Sequence, residues 1–173
     1  MDETVPFGSQ AYGIMLALLF FSRGMDLFST WMATPRLVLE GNPIAKKLGW
    51  KWGGLLNLGL CLGFARWPLL AVVLSTTSVL VAARNFHSAW LMRTLGEEEY
   101  RAWFVFHLCR VRLPFYFLCL VGETGLVALV GTALISFTGS FVIMAIGMGI
   151  VCYAGVVLFY TLLSLWRIRR KIG

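Results

Sequence analysis

Arg23 and Asp26, three residues apart, and Arg84, His87 and Glu123 further along the chain can bind an anion, move a proton or pair with one another, and all five sit inside long apolar stretches. On a soluble helix, Arg23 and Asp26 would share a face and gain a few tenths of a kcal/mol. Inside a bilayer the same charges cost roughly 2.5 to 3.5 kcal/mol each even on the most lenient insertion scales, so they must face a bundle interior or a cavity and mark a site. The guanidinium groups of Arg23 and Arg84 suit phosphate or carboxylate. Asp26 or Glu123 could act as a general base with His87 as partner. Asp26, Glu123 and His87 also carry the atom types of a metal site, but they come from three separate segments without ligand spacing, so no metal is expected.

The elements that carry these residues are apolar helices. The 173 residues are 59% hydrophobic and 13% charged, with a mean hydropathy of +0.80, against a charged fraction of about a quarter in soluble domains. This composition predicts an all-α integral membrane protein: one membrane domain (1–173), a bundle of about five transmembrane helices with two interfacial segments. The spans are expected at about 11–34, 48–65, 68–92, 114–136 and 141–166, and the interfacial segments at about 35–47 and 93–113. The start, MDETVPFGSQ, is acidic and lacks the basic region of a signal peptide, so the first helix is expected to be retained. The four cysteines have no C-x-x-C spacing, and they read as small buried hydrophobes.

The net charge of +7 comes from basic residues gathered at helix ends, which topology explains without nucleic acid. Arg36, Lys46, Lys47 and Lys51, then Arg93 to Arg112, then Arg167 to Lys171 all fall on one side of a five-span chain. Asp2, Glu3, Arg66 and a neutral SFTGS turn fall on the other. The positive-inside rule therefore predicts a protein of the cell (inner) membrane, with its amino terminus outside and its carboxyl terminus in the cytoplasm. Gly59 and Gly63 in the second span, and Ala145 and Gly149 in the fifth, have the four-residue spacing that lets helices approach closely, and they are candidate docking faces for a membrane-protein partner.

Helical rise gives the depth of the charges. Asp26 is nine residues before Pro35, Arg84 eight before Met92 and Glu123 nine after Pro114, so each should lie ~12 to 14 Å inside the cytoplasmic boundary. Arg84, His87 and Ser88 share a stripe with Asn85 beside it, and Thr30 continues the stripe of Arg23 and Asp26. The expectation is a single buried polar centre where spans one, three and four meet. The Glu97 to Glu99 run and His107 are expected on a solvated face.

Asp26 with Thr30 four residues on, followed by Glu40, Asn42 and Pro43 as E-x-N-P, resembles an uncharacterised family of small bacterial and archaeal membrane proteins that pair a D-x-x-x-T helix with an E-x-N-P turn. The resemblance covers about the first third of the chain. Arg23, Pro35 and the three further spans depart from it. It implies that Asp26, Glu40, Asn42 and Pro43 matter, and it implies no activity or cofactor.

Three functions stay open. The first is a charged cavity near the cytoplasmic leaflet that binds, and transports, an anionic or zwitterionic ligand or a lipid headgroup. Its candidate ligand-binding residues are Arg23, Asp26, Thr30, Glu40 and Asn42, with Arg84, Asn85, His87 and Glu123. The second is a membrane-embedded enzyme acting on a lipid or isoprenoid phosphate. The third is a non-catalytic assembly subunit, in which the charges form ion pairs that set helix register.

Overall fold

The computed structural model describes residues 4–172, with side chains described as far as Arg170. Asp2 and Glu3, and the side chain of Lys171, lie outside the described residues. Among the described residues the chain forms six helices and no strand: α1 (Gln10–Ala33), α2 (Pro43–Phe64), α3 (Pro68–Leu95), α4 (Glu97–Arg110), α5 (Leu113–Ser136) and α6 (Phe141–Ile172).

Proline places three of the helix starts. Pro43, Pro68 and Pro114 occupy the first turns of α2, α3 and α5, where a missing N–H costs nothing and the fixed φ is already helical. α1 ends at Ala33, one residue before Thr34 closes its last turn by donating its N–H to the Thr30 carbonyl at 2.7 Å.

Four helices, α1, α3, α5 and α6, are long and apolar enough to cross a membrane, as a multi-pass membrane protein requires. The fifth expected crossing does not reach that standard. Gly49 interrupts α2 at φ 66°, ψ −172°, a conformation that glycine alone adopts readily. The helix beyond the break runs from Trp50 to Phe64, only ~22 Å. Segment 93–113 is more helical than expected: α3 runs on to Leu95, and α4 begins after the single residue Gly96, at φ 82°. Glu97, Glu98 and Glu99 fill the first turn of α4, where the helix dipole favours negative charge.

α3 is the central helix. It packs most extensively on α1 and α6, while α5 packs on α6 and α2 leans on α1. Small residues allow the closest approaches. A Cβ on Gly149 would lie 2.6 Å from the Thr76 Cβ and 2.9 Å from the Val73 carbonyl of α3. Ala145, one turn earlier, is fully buried beside Val72 and Val73. The small-residue face of α6 is thus occupied by α3 of the same chain. Gly131 and Gly147 bring α5 onto α6 so tightly that a Cβ on either would meet the other's carbonyl at 2.7 Å. Gly59 and Gly63 on α2 have nothing within 4 Å.

Gly149→Ala should therefore force α3 and α6 apart and cost about 1 to 3 kcal/mol, because the obstructing atoms include backbone. Gly59→Ala should leave the fold intact. Retention of folded protein after heating in detergent compares the two.

Of the four cysteines only Cys61 is buried, in a cluster with Tyr12, Leu19, Ala65 and Ala71. Cys109, Cys119 and Cys152 are exposed, contrary to the expectation of four core thiols. On a chain whose outer surface is as apolar as its core, a small hydrophobic residue carries no signal of which side it faces.

Candidate functional site

The charges carried by the apolar helices resolve into two separate groups rather than one centre. Arg23 holds the first together. Its Nη1 donates to Asp26 Oδ2 at 3.1 Å and to Ser78 Oγ of α3 at 3.0 Å. Its Nε donates to Asn57 Oδ1 of α2 at 2.8 Å, and Nη2 donates to the same oxygen. Asn57 in turn gives its amide to the Gly53 carbonyl at 2.7 Å. One guanidinium thus joins α1, α2 and α3. One turn further along, Asn85 Nδ2 donates to Ser29 Oγ at 3.2 Å and Thr30 Oγ1 at 3.1 Å, extending the polar seam between α1 and α3.

Arg84 is not part of that seam. Consecutive helical residues differ by about 100° in direction, so with Asn85 turned to α1, Arg84 turns away. Its Nη1 meets Glu123 Oε1 of α5 at 2.5 Å, with the two side chains 38% and 54% exposed. Asp26 and Arg84 therefore belong to different interfaces, and the expected meeting of Asp26, Arg84 and Glu123 at one sheltered centre is corrected on this point. His87 is exposed.

The link between α1 and α2 is built around a residue expected in solvent. Glu97 is only 5% exposed. Its Oε2 accepts the Thr34 hydroxyl at 2.6 Å and the Val38 N–H at 3.0 Å, and its Oε1 accepts the Arg36 N–H at 2.9 Å. The Arg36 guanidinium stands 3.6 Å away. Thr34 Oγ1 accepts the Leu39 N–H at 3.1 Å, and Trp50 Nε1 caps the Pro35 carbonyl at 2.8 Å. Inside this clasp Leu37 holds φ 57°, a left-handed conformation unfavourable for a branched side chain that persists only where its surroundings dictate it. Burial alone would push the Glu97 carboxyl up, but the three donated hydrogen bonds outweigh it and hold the group below the ordinary carboxylate range.

The E-x-N-P turn has a specific local job. Asn42 is the N-cap of α2, its Oδ1 accepting the Ile44 N–H at 2.9 Å and, at 3.5 Å, that of Ala45; Pro43 follows in the first turn. Glu40 Oε1 accepts the Asn42 N–H at 2.7 Å. Three backbone donors at the helix start are satisfied in this way, as in a capping box with the carboxylate upstream. Burial raises the Glu40 pKa, and the Asn42 hydrogen bond and nearby Lys46 offset that only in part.

Segment 38–41 forms one wall of a cavity of about 870 Å³ enclosed mainly by α3, α4 and α6. Gly41 brings this wall onto α6: a Cβ there would touch Ser164 Oγ at 3.8 Å. The cavity is two-faced. Val81, Phe104, Leu108, Val156, Val157 and Leu165 provide apolar lining. Lys46, Arg84, Arg101, Arg167 and Arg170 bring positive charge, and among the described residues Glu40 is the one carboxylate on the wall. Tyr100, Tyr160, Thr161 and Ser164 add hydroxyls. The lining of α6 extends from Val156 to Arg170, ~21 Å along the axis. Arg84 sits among the aliphatic residues at one end, and Arg167 and Arg170 lie at the other.

Of the residues expected at a site, Glu40 and Arg84 line this cavity. Arg23, Asp26, Thr30, Asn42, Asn85, His87 and Glu123 do not. In the sequence Arg101, Arg167 and Arg170 carry the signal of topological charges at helix ends. The available signal was the spacing of Tyr160, Ser164 and Arg167, which places them on one stripe of a helix continuing past Trp166.

Comparison with protein-family models, with curated proteins and with solved structures finds no match to this chain.

Proposed function

We propose that the chain is a multi-pass protein of the cell membrane whose cavity, at the cytoplasmic end of the bundle, binds an anionic amphiphile. The headgroup lies against Arg101, Arg167 and Arg170, and the tail along Val156, Val157 and Val81. The observation that carries this reading is the cavity lining: among the described residues, five cationic side chains against one carboxylate, continuous with an apolar wall. Pockets of roughly 300 to 1,000 Å³, mostly apolar with a few placed polar groups, are the usual form of small-molecule sites. The cations cluster where α3 and α6 end and α4 lies, in keeping with a cytoplasmic position for that end and for the carboxyl terminus. In this reading α2 beyond Gly49 is a short fifth crossing pinned by Arg23, and α4 lies along the headgroups. Movement of the ligand across the bilayer is an extension of the same reading. The resemblance to the D-x-x-x-T and E-x-N-P family enters through the turn that walls the cavity.

Native mass spectrometry of the purified protein tests this. An anionic amphiphile should be retained by the wild type and by Arg93→Gln, whose guanidinium lies over the Trp31 ring at 5.4 Å and outside the cavity. It should be lost from the Arg101→Gln/Arg167→Gln double variant. Equal retention by all three, or none by the wild type, overturns the reading.

Glu40 makes binding depend on pH. Its pKa is raised, so as pH falls it becomes neutral before an ordinary carboxylate would, and the cavity gains one unit of net positive charge. An alkyl sulfonate, whose own charge does not change, should bind more tightly on going from neutral to mildly acidic pH. One charge at a partly screened site is worth about tenfold, and Glu40→Gln should flatten the profile.

One observation favours a second reading, assembly with another membrane protein: Gly59 and Gly63 on α2 are exposed with nothing packed against them. Cross-linking from cysteines placed beside them in native membranes, with and without Gly59→Leu, separates a protein neighbour from lipid.

A further inference from the structure

We infer that the ligand of this cavity is a single-chain lipid ending in a phosphate monoester; the inference rests on the amphiphile reading above and names its chemical class.

The first ground is charge. Among the described residues, three arginines and one lysine line the cavity besides Arg84, which is already paired with Glu123, and Glu40 is the one carboxylate on the wall. A fatty carboxylate brings one charge and two oxygens. A single guanidinium fork satisfies it, so the remaining arginines of the lining add little to its binding. A phosphate monoester carries about −1.5 to −2 at neutral pH on three terminal oxygens, so two or three guanidinium groups can each share an oxygen with their neighbours.

The second ground is the hydroxyl lining. Tyr160, Thr161 and Ser164 follow one another along the α6 wall, and Tyr100 faces the cavity from α4. Hydroxyl donors beside guanidinium groups suit a tetrahedral oxyanion with lone pairs in several directions. A phosphocholine head, by contrast, would bring its ammonium among the five cations.

The third ground is size and shape. At about 870 Å³ the cavity lies near the upper end for a single small-molecule site. Val156 and Val157 of α6, Val81 of α3 and Phe104 of α4 supply apolar lining beyond the hydroxyls of Tyr160 to Ser164. One extended chain runs from the arginines past those hydroxyls to this lining.

The test uses the full chain in detergent micelles and displacement of a fluorescent fatty probe by matched ligands: dodecyl phosphate, dodecanoate, dodecylphosphocholine, a two-chain phosphatidate and inorganic phosphate. Dodecyl phosphate should bind at least about tenfold more tightly than dodecanoate, the difference expected of one further charge-assisted hydrogen-bond pair, and more tightly than dodecylphosphocholine or phosphatidate. Inorganic phosphate should compete only at far higher concentration.

Arg167→Lys, which keeps the charge and loses the fork, should weaken dodecyl phosphate and leave dodecanoate nearly unchanged. Equal affinity for dodecyl phosphate and dodecanoate overturns the phosphate assignment while leaving an amphiphile site in place. Phosphatidate binding as tightly as dodecyl phosphate overturns the single-chain assignment. Inorganic phosphate competing as well as dodecyl phosphate makes the ligand a free anion and overturns the lipid assignment. If the fatty probe does not bind at all, the amphiphile reading itself falls.

Discussion

Arg23→Ala is expected to cost the fold about 3 kcal/mol, the effect of deleting one member of a buried ion pair and leaving the other charge behind. The damage extends past the pair. Asp26 loses its counter-charge, Asn57 Oδ1 loses both of its donors from Arg23, and Ser78 loses its partner, so the polar tie of α2 to α1 and α3 is cut. The isosteric apolar pair Arg23→Leu/Asp26→Leu should recover much of that loss, because no charge is then left in the bilayer. Exchanging the charges, Arg23→Asp with Asp26→Arg, should recover less. An arginine one turn away no longer addresses Asn57, which asks for a guanidinium at position 23. Unfolding equilibria in mixed micelles measure all three variants. Full stability in Arg23→Ala would show that the Asn57 and Ser78 contacts contribute nothing, and with that the assignment of Arg23 as the tie between three helices would be lost.

The second large effect is expected at Glu97. Glu97→Ala strands the Thr34 hydroxyl and the Arg36 and Val38 N–H groups, each of which held a hydrogen bond to the carboxylate. Orphaned buried donors of this kind amount to about 2 to 4 kcal/mol together. Released from the clasp, Leu37 also has no reason to keep its left-handed φ, and segment 38–41 should leave the cavity wall. Glu97→Gln offers one acceptor oxygen but turns an NH₂ toward a donor, so it should behave nearly as badly.

The pH dependence follows from the sign of the shift. The folded carboxyl is held below its ordinary value of 4.5, so its contribution is fully present above about 4.5 and is lost as pH falls through the lower folded value. Wild-type stability should therefore dip in acid by an amount that Glu97→Gln does not show. Amide hydrogen exchange at residues 36–39 reports the clasp directly. Protection there that is unchanged in Glu97→Ala would mean the loop is held by other contacts.

Asn42 and Pro43 read from sequence as a turn in an interfacial segment, with the second span expected from about 48; the structure makes them the cap and first residue of α2 instead. The lengths and apolarity of α1, α3, α5 and α6, by contrast, were legible. Hydropathy summed over some twenty residues does not depend on how a helix is rotated about its axis. The Arg23–Asp26 pair was legible too, since three-residue spacing on one helix sets it without help from any neighbour.

Other features depended on rotation and on distant partners. Depth along the axis placed Asp26, Arg84 and Glu123 at one height, but a step of one residue between Arg84 and Asn85 turns one to α5 and the other to α1. Height does not reveal that. Glu97 sits in a run of three glutamates, and only its neighbours across the fold, 59 to 63 residues away, distinguish it from Glu98 and Glu99. The cavity was hidden most completely, because its arginines lie at helix ends where membrane topology already accounts for them.

The existence and approximate extent of the long apolar helices are properties of stretches of consecutive residues, and the sequence by itself determined those. Which charge meets which, and that Arg101 of α4 shares a cavity with Arg167 of α6, depends on the azimuth of each helix and on packing between segments far apart in the chain. Only the tertiary structure decides that, because the contacts that set a helix's rotation belong to its neighbours.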